Sequence, residues 1–355
     1  MSQVFLFCRA GFETEAGREI TDAAAEVGHY GYFLPETGQG RVLFTLADGA
    51  SPSDLLDKLA LSDLVFTRDW FQIIADLVLP PGDRVGAVLE ALRALETFPP
   101  AARVEVRVPD DSTDRDLTNF ARKWVSPLSR ALRDTGFLVD DDDNPWRLDI
   151  FLPAFDRMIL GLSHRSNRSP YLSGIPRLRL PASAPSRSAL KLEEAWKVFI
   201  PESQWLDYLG GAKKAVDLGA APGGWTWQLV RQGMLVTAVD NGPMDPELMA
   251  SGHVEHVRAD GYLWRPQRSV DWMVCDIVDK PRRTADMVTD WLCRRLCRFA
   301  VFNLKLPMKK RYEEWLTCRE RMLETLEASG IQVRLRARHL YHDREEITCF
   351  IERLS

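Results

Sequence analysis

Apolar positions over the first third of the chain alternate between strand-like and helix-like spacing. VFLFCRAG reads as a strand, and FETEAGREITDAAAEVG reads as an amphipathic helix closed by Gly28. YGYFLP and GRVLFTL follow as strands, SPSDLLDKLAL as a helix opened by a serine cap, and LVFTRDWFQII as a further strand. That order, β-α-β-β-α-β, is the ferredoxin-like arrangement. A second α+β stretch has helices over 83–97 and 114–134 and the strands ARVEVRVP, WRLDIFL and DRMILGL. The acidic turn DDDDNP within it reads as a solvated loop, and Asp140 to Asp143 are given no chemistry.

From Arg157 to Lys191 the chain carries no acidic residue, and prolines and serines crowd its second half, so a boundary is expected near Ala182. Beyond it the pattern is α/β. ALKLEEAWKVF is a helix, KKAVDLG a strand and GGWTWQLVRQ a helix, and LVTAVD, VEHVRAD and VDWMVCD are strands. ADMVTDWLCRRLCRF reads as a helix, AVFNLKL as a strand and RYEEWLTCRERMLETLEAS as a long helix, before a terminal strand pair. Such alternation predicts a mainly parallel sheet covered on both faces. The expected domains are a ferredoxin-like segment over 1–75, an α+β domain over 76–170, a linker over 171–187 and an α/β domain over 188–355.

Composition narrows the function classes only modestly. A chain of 355 residues with 45% hydrophobic and 27% charged residues suits two or three soluble units. A net charge of −5 excludes a uniformly basic surface but permits a local basic patch. The start has no signal-peptide pattern, and no apolar run approaches the ~20 residues of a membrane span. The six cysteines form no CxxC pair and meet no histidine set, so reduced thiols, no metal site and a cytoplasmic setting are expected.

The stretch AVDLGAAPGGWT places Gly219, Gly223 and Gly224 at the exit of an apolar strand, where a ligand can approach bare backbone at a helix start. Gly224 is followed by Trp225 and Thr226, so a phosphate loop ending Gly-Lys-Ser/Thr fails. Ala221 and Pro222 spoil a dinucleotide G-x-G-x-x-G. S-adenosylmethionine fits better: Asp240 closes the next strand and suits ribose hydroxyls, Asp260 ends the one after and suits an adenine amino group, and Asp276 ends a third. Lys191 precedes the glycine-loop strand and Lys305 ends an apolar strand, where a buried amine is costly unless it serves the site.

SRSALKLEEAW, DLGAAPGGWT, VCDIVDKP, FNLKLP and REEITCF resemble, in order, the motifs of FtsJ-like 2′-O-ribose methyltransferases. The resemblance implies a Rossmann-like S-adenosylmethionine-dependent domain with a catalytic Lys191, Asp276, Lys305 and Glu346, Glu345 remaining an alternative for the last. It implies a cofactor set of Ser188, Gly219, Ala221, Pro222, Gly223, Gly224, Trp225, Asp240, Asp260 and Asp276. Full length, with RAGFETEAGREI and LGLSHRSNRSPYL, the chain resembles the bacterial ribosomal RNA large-subunit methyltransferase M family, which implies a THUMP RNA-binding domain over 76–170. The implied substrate is a cytidine 2′-hydroxyl of 23S ribosomal RNA, free or in a precursor particle, with no membrane and no obligate protein partner.

The chemistry agrees with that resemblance. The sulfonium methyl is already activated, so the protein must align it with the 2′-oxygen and manage one proton. Lys305 is expected as general base or alkoxide stabiliser, oriented by Lys191, Asp276 and Glu346. Arg165, Arg168, Arg177 and Arg179 are expected on RNA phosphates. A transfer-RNA methyltransferase and a non-catalytic RNA-binding assembly factor are the alternatives.

Overall fold

Every residue of β1 (Gln3–Phe7) after Gln3 is buried, which requires cover on both faces of the strand. In this computed structural model, which describes residues 2–110 and 114–354, that strand lies near the middle of a seven-stranded sheet. The chain divides into two units, Met1–Ile175 and Pro176–Ser355.

In the first unit β1 is joined by β2 (Gly31–Phe33), β3 (Arg41–Leu46), β4 (Asp69–Val78), β5 (Arg103–Arg107), β6 (Trp146–Ala154) and β7 (Arg157–His164). Their order is β2-β3-β1-β4-β7-β6-β5, antiparallel except for β5 with β6. The two α+β stretches therefore share one sheet. The ten residues of β4 explain this: Asp69–Gln72 pair with β1, and from Gln72 to Val78 the strand pairs with β7.

Helices α1 (Glu13–Glu26), α2 (Pro52–Lys58), α3 (Arg84–Arg93) and α4 (Arg115–Asp134) complete the unit. The carboxylates of Asp83 and Asp114 cap α3 and α4 by accepting N–H bonds from Gly86 and from Asp116 and Leu117. The expected serine cap of α2 is absent. Ser51 Oγ instead lies 2.6 Å from Ser53 Oγ, and Pro52 opens the helix.

The sheet curls strongly. The Phe5 and Phe151 rings are 4.9 Å apart although two strands separate β1 from β6, a gap of about 14 Å in a flat sheet. The enclosed face holds Phe5, Phe7, Phe71 and Phe151, with Arg107 and Arg147 paired to Asp69 and Asp149 at one end.

The second unit has β8 (Lys214–Leu218), β9 (Leu235–Val239), β10 (Val254–Val257), β11 (Val270–Cys275), β12 (Cys297–Lys305), β13 (Val333–Arg338) and β14 (Glu346–Arg353). Strand order is β10-β9-β8-β11-β12-β14-β13, parallel over the first five and antiparallel for the last two. Its helices are α5 (Ala189–Phe199), α6 (Trp205–Leu209), α7 (Gly224–Arg231), α8 (Pro246–Ala250), α9 (Pro281–Cys293) and α10 (Arg311–Ala328). Trp196, Trp225, Trp272, Phe299 and Phe350 anchor one core of this unit.

Two sequence expectations change here. The helix expected over 285–299 starts earlier, at Pro281, and stops at Cys293. Arg295 then takes a left-handed conformation (φ 56°), and Cys297 already pairs with Val270 in the sheet. The apolar spacing of CRRLCRF imitates a continuing helix because Leu296 and Phe299 fall on helical repeats. Asp260 lies three residues beyond the end of β10 rather than at it.

Candidate active site

Alternation along β12 places Asn303 and Lys305 on one face, and the antiparallel register sets Lys305 opposite Glu346 on β14. Asp276 directly follows β11, the strand on the other side of β12. Lys191 comes from the first turn of α5, whose buried Leu190, Leu192 and Trp196 dock the helix on the core. One turn further along α5, buried Glu194 accepts N–H bonds from Tyr341 (2.7 Å) and His342 (3.0 Å). This clamp fixes α5 against the loop that leads into β14, and so fixes Lys191 against Glu346.

The four side chains meet as alternating charges. Lys305 Nζ lies 2.8 Å from Asp276 Oδ1 and 3.4 Å from Glu346 Oε1. Lys191 Nζ lies 3.4 Å from Asp276 Oδ2 and also donates to Glu346 Oε1. Two ammonium and two carboxylate groups cancel, which is the condition for holding charges in a cleft with little water. Burial opposes the Lys191 ammonium, and carboxylates led by Asp276 outweigh it, raising its pKa. Burial would raise Glu346, but Lys191 and then Lys305 overcome it and hold the carboxyl below its ordinary value. Glu345 is outside the cluster: its exposed carboxylate takes a 2.7 Å bond from Arg311.

Behind the four lies a buried chain absent from the sequence expectations. Asn303 Nδ2 donates to Asp276 Oδ1 (2.7 Å), and Thr348 Oγ1 reaches Asn303 Oδ1 (2.8 Å) and both oxygens of Asp343 (3.0 Å). A threonine hydroxyl has one proton. The amide orientation fixed by Asp276 makes Asn303 Oδ1 an acceptor, so that proton goes to Asn303. The contact with Asp343 then needs a proton on Asp343, which accords with burial pushing this carboxyl well above its ordinary value. Asn303 and Thr348 each stand two residues from a tetrad member on the same strand face, the signal that could have found them. Asp343 carries no such signal, because it sits in the β13–β14 loop.

The glycine loop has a partly different basis from the one expected. A Cβ on Gly224 would lie 2.2 Å from Ser188 Oγ, one on Gly223 2.5 Å from Leu248, and one on Gly219 2.5 Å from Ile277. Gly219 and Gly223 also have left-handed backbones (φ 77° and 119°). This chain's own atoms thus account for the three glycines. Ligand approach rests instead on what converges around them. Asp240 accepts N–H bonds from Ala221 (3.0 Å) and Gly242 (2.7 Å), and Pro222 stands exposed at the tip. Gly261, beside exposed Asp260, packs against the Gly219 backbone, and Ile277, beside Asp276, packs on Gly219. Carboxylates with unfilled acceptor positions, an open loop and a helix start fit an adenosine-bearing donor. Trp225 differs: its side chain is buried in the core, leaving only its backbone toward the loop.

The four arginines are not equivalent. Arg165 donates to the carbonyls of Asp142 and Asn144, and Arg168 to those of Pro145 (3.3 Å) and Ser163 (3.2 Å). Burial, then the charge of Arg147, pushes Arg168 down to about 10. Arg177 stacks over Tyr341 at 5.6 Å, and Arg179 is exposed. The first pair belongs to the first unit and the second pair to the second. Among the described residues no cluster of histidine, cysteine and acidic side chains could hold a metal. Among the described residues no helix is long and apolar enough to cross a membrane.

Family profiles match three segments. They are an RlmM ferredoxin-like domain over residues 1–71, a ribosomal RNA large subunit methyltransferase M N-terminal domain over 83–164, and an FtsJ-like methyltransferase over 184–306. The chain is 64% identical to a Ribosomal RNA large subunit methyltransferase M of Marinobacter nauticus over 100% of both chains. It is 46% identical to the protein of that name from Pseudomonas syringae pv. tomato, covering 100% of this chain and 98% of the relative. Among solved structures, TrmN from Thermus thermophilus aligns over 99% of both chains at 15% identity and a TM-score of 0.38.

Proposed function

Since the chain belongs to the ribosomal RNA large subunit methyltransferase M family, we propose that it methylates the 2′-hydroxyl of a cytidine in 23S ribosomal RNA, using S-adenosylmethionine. The observation that carries this reading is the alternating cluster of Lys191, Glu346, Lys305 and Asp276 at the strand ends beside the glycine loop. When bound, S-adenosylmethionine supplies an electrophilic methyl group on a sulfonium.

The glycine loop, Asp240 and Asp260 would hold the donor, with the Asp240 carboxylate suited to ribose hydroxyls. Lys305, fastened by Asp276 and Glu346, would face the acceptor; as the neutral amine it would accept the 2′-hydroxyl proton while the methyl passes from sulfur to the 2′-oxygen, and the resulting ammonium is the form the two carboxylates hold. Lys191 keeps Asp276 and Glu346 paired from the opposite side, so Lys305 meets the acceptor in one fixed orientation. The 83–164 segment and exposed Arg165, Arg177 and Arg179 contact RNA backbone, while half-buried Arg168 is held by the Pro145 and Ser163 carbonyls. The setting is the cytoplasm, where all six cysteines stay as the free thiols seen here.

The test is transfer of labelled methyl groups to separate pools of 23S ribosomal RNA and transfer RNA, followed by mass-spectrometric mapping of the modified nucleotide. Label on a 23S cytidine ribose is expected. Label on transfer RNA, or on a base, refutes the substrate assignment, and no label in either pool refutes catalysis.

A further inference from the structure

The first unit contains a cavity of about 300 Å³ between the end of α2, strand β4 and the facing ends of β6 and β7. Its floor is apolar: Trp70 and Leu162 are fully or almost fully buried, and half-buried Trp146 forms one wall. The walls are held in place by satisfied bonds. Trp70 Nε1 donates to the Asn167 carbonyl (2.6 Å), while Asn167 Oδ1 accepts from Leu61 N (2.7 Å) and its Nδ2 donates to Leu59 O (2.9 Å). The Trp146 indole is set edge-on to His164 at 4.9 Å, which fixes its plane.

Against these walls stand two lining groups that have no protein partner for their side chains among the described residues, the amide of half-buried Gln72 and the carboxylate of exposed Asp57. We propose that this cavity receives one unpaired, amino-bearing nucleobase of the RNA substrate. The inference rests on the reading above that the substrate is RNA.

The lining selects that ligand by elimination. A purely apolar guest would leave the half-buried Gln72 amide facing it unpaired. A phosphate would meet a carboxylate of its own sign. A planar heterocycle satisfies both conditions at once, stacking on indole while its edge meets an amide and an acid. Asp57 can only accept hydrogen bonds, so it favours the amino groups of cytosine, adenine or guanine over uracil, whose one N3–H donor lies between two carbonyls that a carboxylate repels. The volume stands at the lower end of small-ligand pockets, enough for one base.

The experiment measures steady-state methyl transfer to ribosomal RNA by the full-length chain and by its Trp146→Ala and Asp57→Asn variants, with donor affinity and melting temperature alongside. Trp146→Ala is expected to raise KM for RNA roughly tenfold, the worth of one stacked base, with kcat and donor affinity unchanged. Asp57→Asn changes an exposed residue and keeps the fold. It should raise KM several-fold, and in photocrosslinking of short single-stranded RNAs to the full chain it should erase the preference for C, A or G over U. An unchanged KM in both folded variants overturns the pocket while leaving the methyltransferase reading intact. Failure of the unaltered protein to methylate any RNA overturns both.

Discussion

Lys305 pairs with two carboxylates at the strand ends and is no part of the glycine loop, so its loss is expected to spare the donor site. Lys305→Ala should keep donor affinity within about twofold and lower turnover by roughly 10²-fold or more, the scale of a lost general base. Isothermal titration with the donor beside single-turnover transfer checks it. The proton count behind the cluster gives a second outcome. Asp343→Asn offers a neutral amide donor to Thr348 and should retain most activity, whereas Asp343→Leu strands Thr348 and loosens Asn303 and Asp276, lowering kcat more than KM. Burial pushes Asp217 up to about 7, which means folding favours its protonated form. Its contribution is then fully present below pH 3.8 and lost as pH rises toward 7. Asp217→Asn should therefore raise the melting temperature more at pH 8 than at pH 5. Glu346 has the opposite sign: its depressed pKa contributes stability above the ordinary 4.5 that disappears as acid protonates it. Glu346→Gln should flatten the acid limb of the melting curve.

Elements decide how closely the chain tolerates change. Gly161 on β7 leaves no room: a Cβ would lie 2.0 Å from the Phe71 ring and 2.5 Å from the Gln72 carbonyl. Gly161→Ala should cost about 1–3 kcal/mol or more by overpacking, while Gly82→Ala, which meets nothing within 4 Å, should be neutral in chemical denaturation. Most strands and helices were legible because their apolar periods are clean, as in β3 (RVLFTL) with alternate residues buried. Lys191, Asp276 and Lys305 were legible because charged residues at the ends of apolar runs are conspicuous. What was not legible depends on pairing between distant segments. The curl that brings Phe5 onto Phe151 is set by β4 pairing with two partners, which no local window contains. The end of α9 was lost for the same reason, since its apolar spacing continues into a strand whose identity comes from its neighbour β11. Asp343 is visible only once Thr348 and Asn303 are seen around it.

For the whole molecule, each unit has its own sheet and its own apolar core. The segment that follows the division at Pro176 carries exposed Arg177, Arg179 and Arg187. Brief trypsin treatment should cut there first and release two protease-resistant fragments, identifiable by mass spectrometry. Early cleavage inside either sheet would argue against two independently closed cores. The order of the second sheet sets one further condition. Lys191 precedes its first strand and Glu346 opens its last in sequence, separated by 155 positions along the chain. A polypeptide emerging from synthesis therefore owns a donor loop long before it owns a complete reaction centre. Chemical competence arrives only once Glu346 has been added, so a product interrupted before it is a silent one.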